Sequence, residues 1–185
     1  MVLTYQISKE IYLEEKNKSN HNRKNIVIMD EAHKFLGKSA HVEIFVEQAY
    51  RRFRKHGASM LLGTQGFEDL YGGDSVSKVG RVIIENSFWN FFLMQRSTSR
   101  EKIKKSGFFN LSSYAYALMD NTAPADGEYG EIFIMTDKVQ TKGRVVLDKF
   151  LQTLLFTDAD LRSKMNRLVS QGMSHLDAVK HILED

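Results

Sequence analysis

The chain carries two kinds of apolar pattern. Short, nearly unbroken runs occur at Ile26–Met29 (IVIM), at 58–64 (ASMLLGT) and at Phe88–Met94 (FWNFFLM). Continuous runs of this length suit strands covered on both faces, as in a parallel sheet. Between the first two runs the apolar residues take a helical period. Val42, Phe45, Val46, Ala49, Tyr50 and Phe53 recur on one face, which predicts a long helix over 40–56.

The same reading extends along the chain. Residues 2–16 read as a helix with Leu3, Ile7, Ile11 and Tyr12 on one face, followed by a polar connection, NKSNHNRK, over 17–24. Residues 67–71 and 76–85 read as helices split by Gly72-Gly73-Asp74, and two more are expected near 99–106 and 110–119. A hairpin is predicted from Glu131–Thr136 and Val139–Leu147, turning at Asp137-Lys138. Thr157 or Asp158 can open a helix that stops near Gly172. Ser174, with Asp177 three residues on, resembles a capping box for a last helix. Strands alternating with helices predict an α/β fold with a parallel sheet. Three segments are expected: an N-terminal helix and connection over 1–24, an α/β domain over 25–150, and a helical segment over 151–185.

Composition narrows the class without naming it. At 185 residues, 42% hydrophobic and 26% charged, the chain can bury a globular core. No apolar run reaches the roughly 18 residues of a membrane span. The absence of cysteine excludes disulfides and thiolate metal sites. A formal charge of +3 is too small to argue for nucleic acid by itself.

The chemistry concentrates where the first run ends, in Asp30 and Glu31. In open α/β sheets ligands bind beyond the carboxyl ends of the strands. An apolar strand followed by Asp-Glu is the Walker B pattern of nucleotide hydrolases. Asp30 would hold the water shell of an ATP-bound Mg²⁺, and Glu31 would orient or deprotonate the attacking water. The structural alternative is a strand ending in solvated acids that cap the next helix. The second run ends in Gly63-Thr64-Gln65, and an amide at a neighbouring strand end can sense a γ-phosphate. The intervening helix ends in Arg51-Arg52-Phe53-Arg54-Lys55-His56. Cations there suit the helix macrodipole, and Glu47 can pair with Arg51. Four cations within five residues exceed what capping needs. Arg54, at the edge of the polar face, could reach across a subunit boundary to a neighbour's phosphates as an arginine finger; binding to a nucleic-acid backbone is a third reading, disfavoured by the modest net charge.

A phosphate-gripping loop is missing from this pattern. Gly37-Lys38-Ser39 matches only the second half of G-x-x-x-x-G-K-[ST]. Ala32 stands where the first glycine belongs, and bulky Phe35 and Leu36 fill the interior. Asp30-Glu31-Ala32-His33 also spells the box of a helicase class. The companion elements of that class are reduced here to Gly-Thr-Gln and a faint echo in residues 95–100.

Taken in order, IVIMDEAHKFL, RRFRKHG, ASMLLGTQGFEDL, ENSFWNFFLMQ and the tail LLFTDADLRSKMNRLVSQGMSHLDAVKHILED resemble the conjugative-transfer motor ATPases of type IV secretion, the TraC-like branch above all. The resemblance covers roughly residues 25–183. It implies a RecA-like P-loop NTPase core, here partial and lacking the P-loop strand, with a helical C-terminal tail. It implies ATP and Mg²⁺ as ligands once an upstream P-loop is supplied, and a hexamer working at the cytoplasmic face of the inner membrane beside other secretion components. By position Asp30 and Glu31 match the Walker B acids and Gln65 matches the sensing glutamine. Arg54 and Lys55 match the Arg-Lys pair where a finger is expected, with Lys55 as a nucleotide contact. Upstream parts of that family are absent from these 185 residues, so the chain reads as a C-terminal fragment. The rival expectations are a non-catalytic piece that docks on a complete ATPase, and a DNA-translocating or helicase-type motor of the same superfamily.

Overall fold

The computed structural model describes residues 2–16, 24–125, 128–155 and 158–184. The expected connection over 17–24 lies outside these except for Lys24, as do Thr157 and the side chains of Leu3 and Tyr12. Contact density divides the chain into two compact units: Met1–Thr122 with Phe133–Lys142, and Ala123–Ile132 with Gly143–Asp185.

The first unit opens with helix α1 (Val2–Lys16), whose Ile7 and Ile11 join the core. Strand β1 (Asn25–Met29) leads through a 3-10 turn at Ala32–Lys34 into α2 (Ala40–Arg52). Ser39 caps α2 by accepting the Val42 N–H at 3.4 Å. A 3-10 turn, Phe53–His56, then closes on Gly57 in the left-handed region and delivers the chain to β2 (Ala58–Leu62). The two strands pair in parallel, Asn25 opposite Ala58 through Met29 opposite Leu62, which is the βαβ unit the pattern predicts.

The expectation that β1 is covered on both faces is not met. Val27 and Met29 pack against the core, as do Met60 and Leu62 of β2. Ile26 and Ile28 stay 67% and 66% exposed, and Leu61 faces the same way. The period-2 geometry of a strand sends every second side chain to the far face, and nothing among the described residues covers that face.

Beyond β2 come a 3-10 turn (Phe67–Leu70), α3 (Lys78–Asn86), the short β3 (Asn90–Phe92), α4 (Ser97–Ser106) and α5 (Ser113–Asp120). The expected strand over 88–94 shrinks to three residues, with Phe88, Trp89, Leu93 and Met94 exposed at its ends. The expected single parallel sheet is not formed among the described residues: β1 and β2 make one two-stranded sheet, and the later strands make a second, separate one. Strand β3 runs antiparallel to β4 (Gly130–Met135), Asn90 opposite Met135, and β4 neighbours β5 (Gln140–Val145) across a turn closed from Thr136 N–H to Val139 carbonyl. Phe53, Phe133, Ile103, Met119 and Val46 are the largest fully buried side chains of this unit.

Helix α3 sits so close to the Phe67–Leu70 turn that a Cβ on Gly80 would lie 2.3 Å from the Leu70 carbonyl oxygen. Gly80→Ala is therefore expected to cost about 1–3 kcal/mol by overpacking, although alanine is the better helix former. A fall in the urea midpoint is the measurement; an unchanged or higher midpoint contradicts the close approach.

The second unit contains α6 (Lys149–Leu155), α7 (Ala159–Ser170) and α8 (His175–Glu184). Helix α8 packs on both others and buries Ala178 and Val179. Asp158 caps α7 through the Asp160 and Leu161 N–H groups. Ser174 accepts the Asp177 N–H at 3.1 Å, which is one half of the capping box expected before α8; the Asp177 carboxylate accepts from the Ser174 hydroxyl at 2.6 Å and not from its backbone N–H. No helix among the described residues is long and apolar enough to cross a membrane.

Candidate functional site

Parallel pairing puts the carboxyl ends of β1 and β2 at one rim. The ladder runs on past both strands, with Gly63 N–H donating to Met29 carbonyl and Ala32 N–H donating to Gly63 carbonyl, each at 2.9 Å. Asp30 and Glu31 thus emerge beside Gly63-Thr64-Gln65. Gln65 Nε2 donates to Glu31 Oε1 at 3.5 Å across 34 residues of sequence.

Each residue of this corner has a local reason for its place. Asp30 Oδ1 accepts the Glu31 N–H at 2.8 Å, which turns the chain off the strand. A Cβ on Gly63 would stand 3.1 Å from that oxygen, so the missing side chain leaves room for the Asp30 carboxylate. Glu31 has φ 52° and ψ 42°, the only non-glycine with positive φ among the described residues. Holding a glutamate in the left-handed region costs on the order of 1–3 kcal/mol, and such strain clusters at functional sites.

The other oxygen of Glu31 meets Lys34 Nζ, one 3-10 turn later. The Lys34 ammonium holds the Glu31 carboxyl below the ordinary carboxylate range, with Gln65 and His33 adding to the effect. Reciprocally, Glu31 raises Lys34. The depressed Glu31 contributes stability above its unfolded pKa and loses it as pH falls through the folded value. The raised Lys34 contributes below its unfolded pKa and loses it as pH rises through the folded value. Both groups are solvated, so the pair adds little to the fold. Lys34→Met is expected to move the Glu31 titration upward toward the ordinary range, read by carbon-13 NMR of the carboxyl. An unmoved titration rules out the pairing.

Gln65 is itself held from behind. Asp69 Oδ2 accepts the N–H groups of Gln65 at 3.0 Å and Gly66 at 3.2 Å, and Thr64 Oγ1 donates to Gly66 carbonyl at 3.3 Å. Neither Lys34 nor Asp69 was singled out from the sequence. The signals present were the i, i+3 spacing of Glu31 with Lys34 and the Gly-x-x-Asp spacing of a helix start.

Arg54 and Lys55 lie elsewhere. Both are exposed in the turn that precedes β2, whereas the corner follows β2. Five strand residues separate the two rims, about 16 Å at 3.3 Å per residue. Within one chain the structure brings Asp30, Glu31 and Gln65 together and leaves Arg54 and Lys55 at the opposite end. The Gly37-Lys38-Ser39 segment makes no phosphate cradle. Gly37 N–H donates to Glu43 Oε1 at 2.8 Å and Ser39 is spent as the α2 cap.

A hard cation prefers oxygen ligands and keeps several of its waters. Asp30 offers one exposed carboxylate, and no group of three His, Cys, Asp or Glu side chains among the described residues gathers around a common point. That donor set fits a cation carried in on phosphates and held through water, not a cage built by the protein.

No family model and no curated protein matches the chain. Its fold is similar to that of VirB4 of Thermoanaerobacter pseudethanolicus. The match has a TM-score of 0.53 at 18% sequence identity and covers 73% of this chain and 34% of that one. The chain thus spans about a third of the length of this neighbour. At such identity the likeness is one of fold, a mixed α/β architecture shared over 73% of this chain.

Proposed function

We propose that this chain is the C-terminal part of a motor ATPase of the type IV secretion kind, TraC-like in its branch, which hydrolyses ATP at the corner formed by Asp30, Glu31 and Gln65. The observation that carries the proposal is the convergence of two strand-end carboxylates and one amide at the same rim of a parallel pair, with Glu31 held in a strained backbone conformation. The VirB4-like fold supports the same reading.

In this reading Asp30 holds Mg²⁺ through its water shell, and the cation when bound neutralises charge on the phosphates. Glu31 takes the proton of the attacking water. Gln65 orients that water and reports the γ-phosphate. Arg54 approaches the nucleotide of the next subunit in a hexameric ring, where a guanidinium stabilises developing charge, and Lys55 contacts the same phosphates. The distance between the rims favours such a division of labour, because one copy cannot supply both halves. The P-loop comes from a segment outside these 185 residues. Among the described residues β2 has an open edge in a two-stranded sheet, and Ile26, Ile28 and Leu61 form a bare apolar face that such a segment would cover. The motor would sit on the cytoplasmic side of the inner membrane among the other parts of a secretion machine. That same bare face also favours the second reading, a non-catalytic piece that docks on a complete ATPase.

Subunit mixing tests the proposal. In a polypeptide where a P-loop segment precedes residue 1, Arg54→Ala and Glu31→Gln chains should each be inactive alone. Mixed, they should regain a fraction of the ATPase rate, because some interfaces then pair an intact Glu31 with an intact Arg54. No recovery on mixing overturns the placement of Arg54 across a subunit boundary.

A further inference from the structure

The turn that carries Gln65 is bonded to a helix far along the chain. Gly66 follows Gln65, and a Cβ there would lie 2.8 Å from the Glu68 carboxyl carbon. The glycine therefore lets the Glu68 side chain fold back beneath the turn. The Glu68 carboxylate accepts a hydrogen bond from the Ser99 hydroxyl in the first turn of α4. Ser99 is 2% exposed, a buried polar group whose hydroxyl finds its partner across 31 residues. A second tie lies alongside, where Tyr71 OH donates to Lys102 carbonyl at 3.3 Å and the Lys102 ammonium stands 5.0 Å over the Tyr71 ring.

We propose that Asp69 and Glu68 are positioning residues that hold Gln65 against Glu31, with Glu68 doing so by tying the turn to α4 through Ser99. This rests on the reading of Gln65 as a group that works at the corner. Asp69 fixes the backbone, since one carboxylate oxygen gathers two successive N–H groups. Glu68 fixes the turn as a body, since its carboxylate joins the turn to a helix anchored by the fully buried Ile103. The Gln65–Glu31 bond is 3.5 Å, the long limit of a hydrogen bond, so a small displacement of the turn breaks it. A shift of α4 is thereby transmitted to the amide, and α4 becomes the element through which the rest of a motor can address the corner. The Ser99 hydroxyl and the nearby Lys102 and Arg96 charges hold Glu68 below the ordinary carboxylate range, consistent with an ionised acceptor at neutral pH.

Amide hydrogen exchange on the 185-residue chain tests the tie without any nucleotide. In Ser99→Ala, exchange at the Gln65 and Gly66 N–H groups should rise roughly tenfold or more relative to Val27 and Met60 in the paired strands. The Gln65 side-chain amide resonance should move toward that of a free glutamine. Ser99→Thr keeps the hydroxyl and should restore both signals. Glu68→Ala removes the acceptor from a half-buried position and should reproduce the Ser99→Ala result if that variant folds poorly. Uniform acceleration of all amides would make Ser99 only a packing residue, and unchanged exchange at Gln65 would cut the link; either overturns the proposal. Because no ATP is involved, loss of the tie leaves the hydrolysis reading standing, and failure of that reading leaves the tie intact.

Discussion

Glu31→Gln, made in a polypeptide that also carries a phosphate-binding loop, is expected to lower ATP turnover about 10²–10⁴-fold while ATP affinity changes little. That factor is what a positioned general base contributes. The substitution is nearly isosteric. It keeps the left-handed backbone at residue 31, keeps the hydrogen bond from its own N–H to Asp30, and leaves Gln65 an oxygen to bond. It removes only the charge that pairs with Lys34 and the ability to take a proton. A companion substitution separates chemistry from folding. Glu31→Gly relieves the positive φ but adds freedom to the unfolded chain, so stability should stay level or rise by up to about 1 kcal/mol. Activity should fall with Glu31→Gly as it does with Glu31→Gln. Steady-state hydrolysis and nucleotide titration check the first, and urea unfolding the second. Turnover within twofold of the parent for Glu31→Gln would remove Glu31 from the chemistry.

Phe53→Ala carries the largest expected effect on stability. Phe53 is 2% exposed and meets Phe45 edge to face, ring centroids 6.1 Å apart. Emptying such a site costs about 3–5 kcal/mol, a large share of the roughly 5–15 kcal/mol that holds a typical domain together. Its position adds a functional consequence. The ring anchors the turn that bears Arg54 and Lys55 and leads into β2, so the cavity loosens the basic rim before it loosens the corner. Thermal and urea unfolding should show the midpoint falling steeply, with Phe53→Leu losing much less. A fall of under about 1 kcal/mol for the alanine variant would mean the site collapses without a cavity, contrary to its packing.

The corner was legible because strand and chemistry share one signal. An apolar run ending in acids fixes both where the chain leaves the sheet and which side chains it leaves there, and a second run ending in Thr-Gln does the same. Helix starts at Asp158 and Ser174 were legible for the same local reason. Helix α6 falls largely within the helical segment expected over 151–185 but was not read as a separate helix, although Asp148 Oδ1 accepts the Leu151 N–H at 2.8 Å and so offered a cap to read. The left-handed Glu31 could not be foreseen, since glutamate has no preference for positive φ and the conformation is imposed by Asp30 and the ladder to Gly63. The antiparallel β3–β4 pair was hidden because apolar runs do not declare strand direction. Nor does a run of four apolar residues say whether its second face is covered in this chain. It says only that the strand suits such cover, and Ile26 and Ile28 show the difference.

The one tryptophan of the sequence stands just before β3, on the exposed side of the chain. Trp89 is 55% exposed, with its indole stacked on Phe91 at 4° and edge-on to Phe88. Indole emission reports local polarity, so the chain carries its own optical gauge. Whatever polypeptide comes to lie against that aromatic group will shift the glow toward the blue, and no label has to be attached to see it arrive.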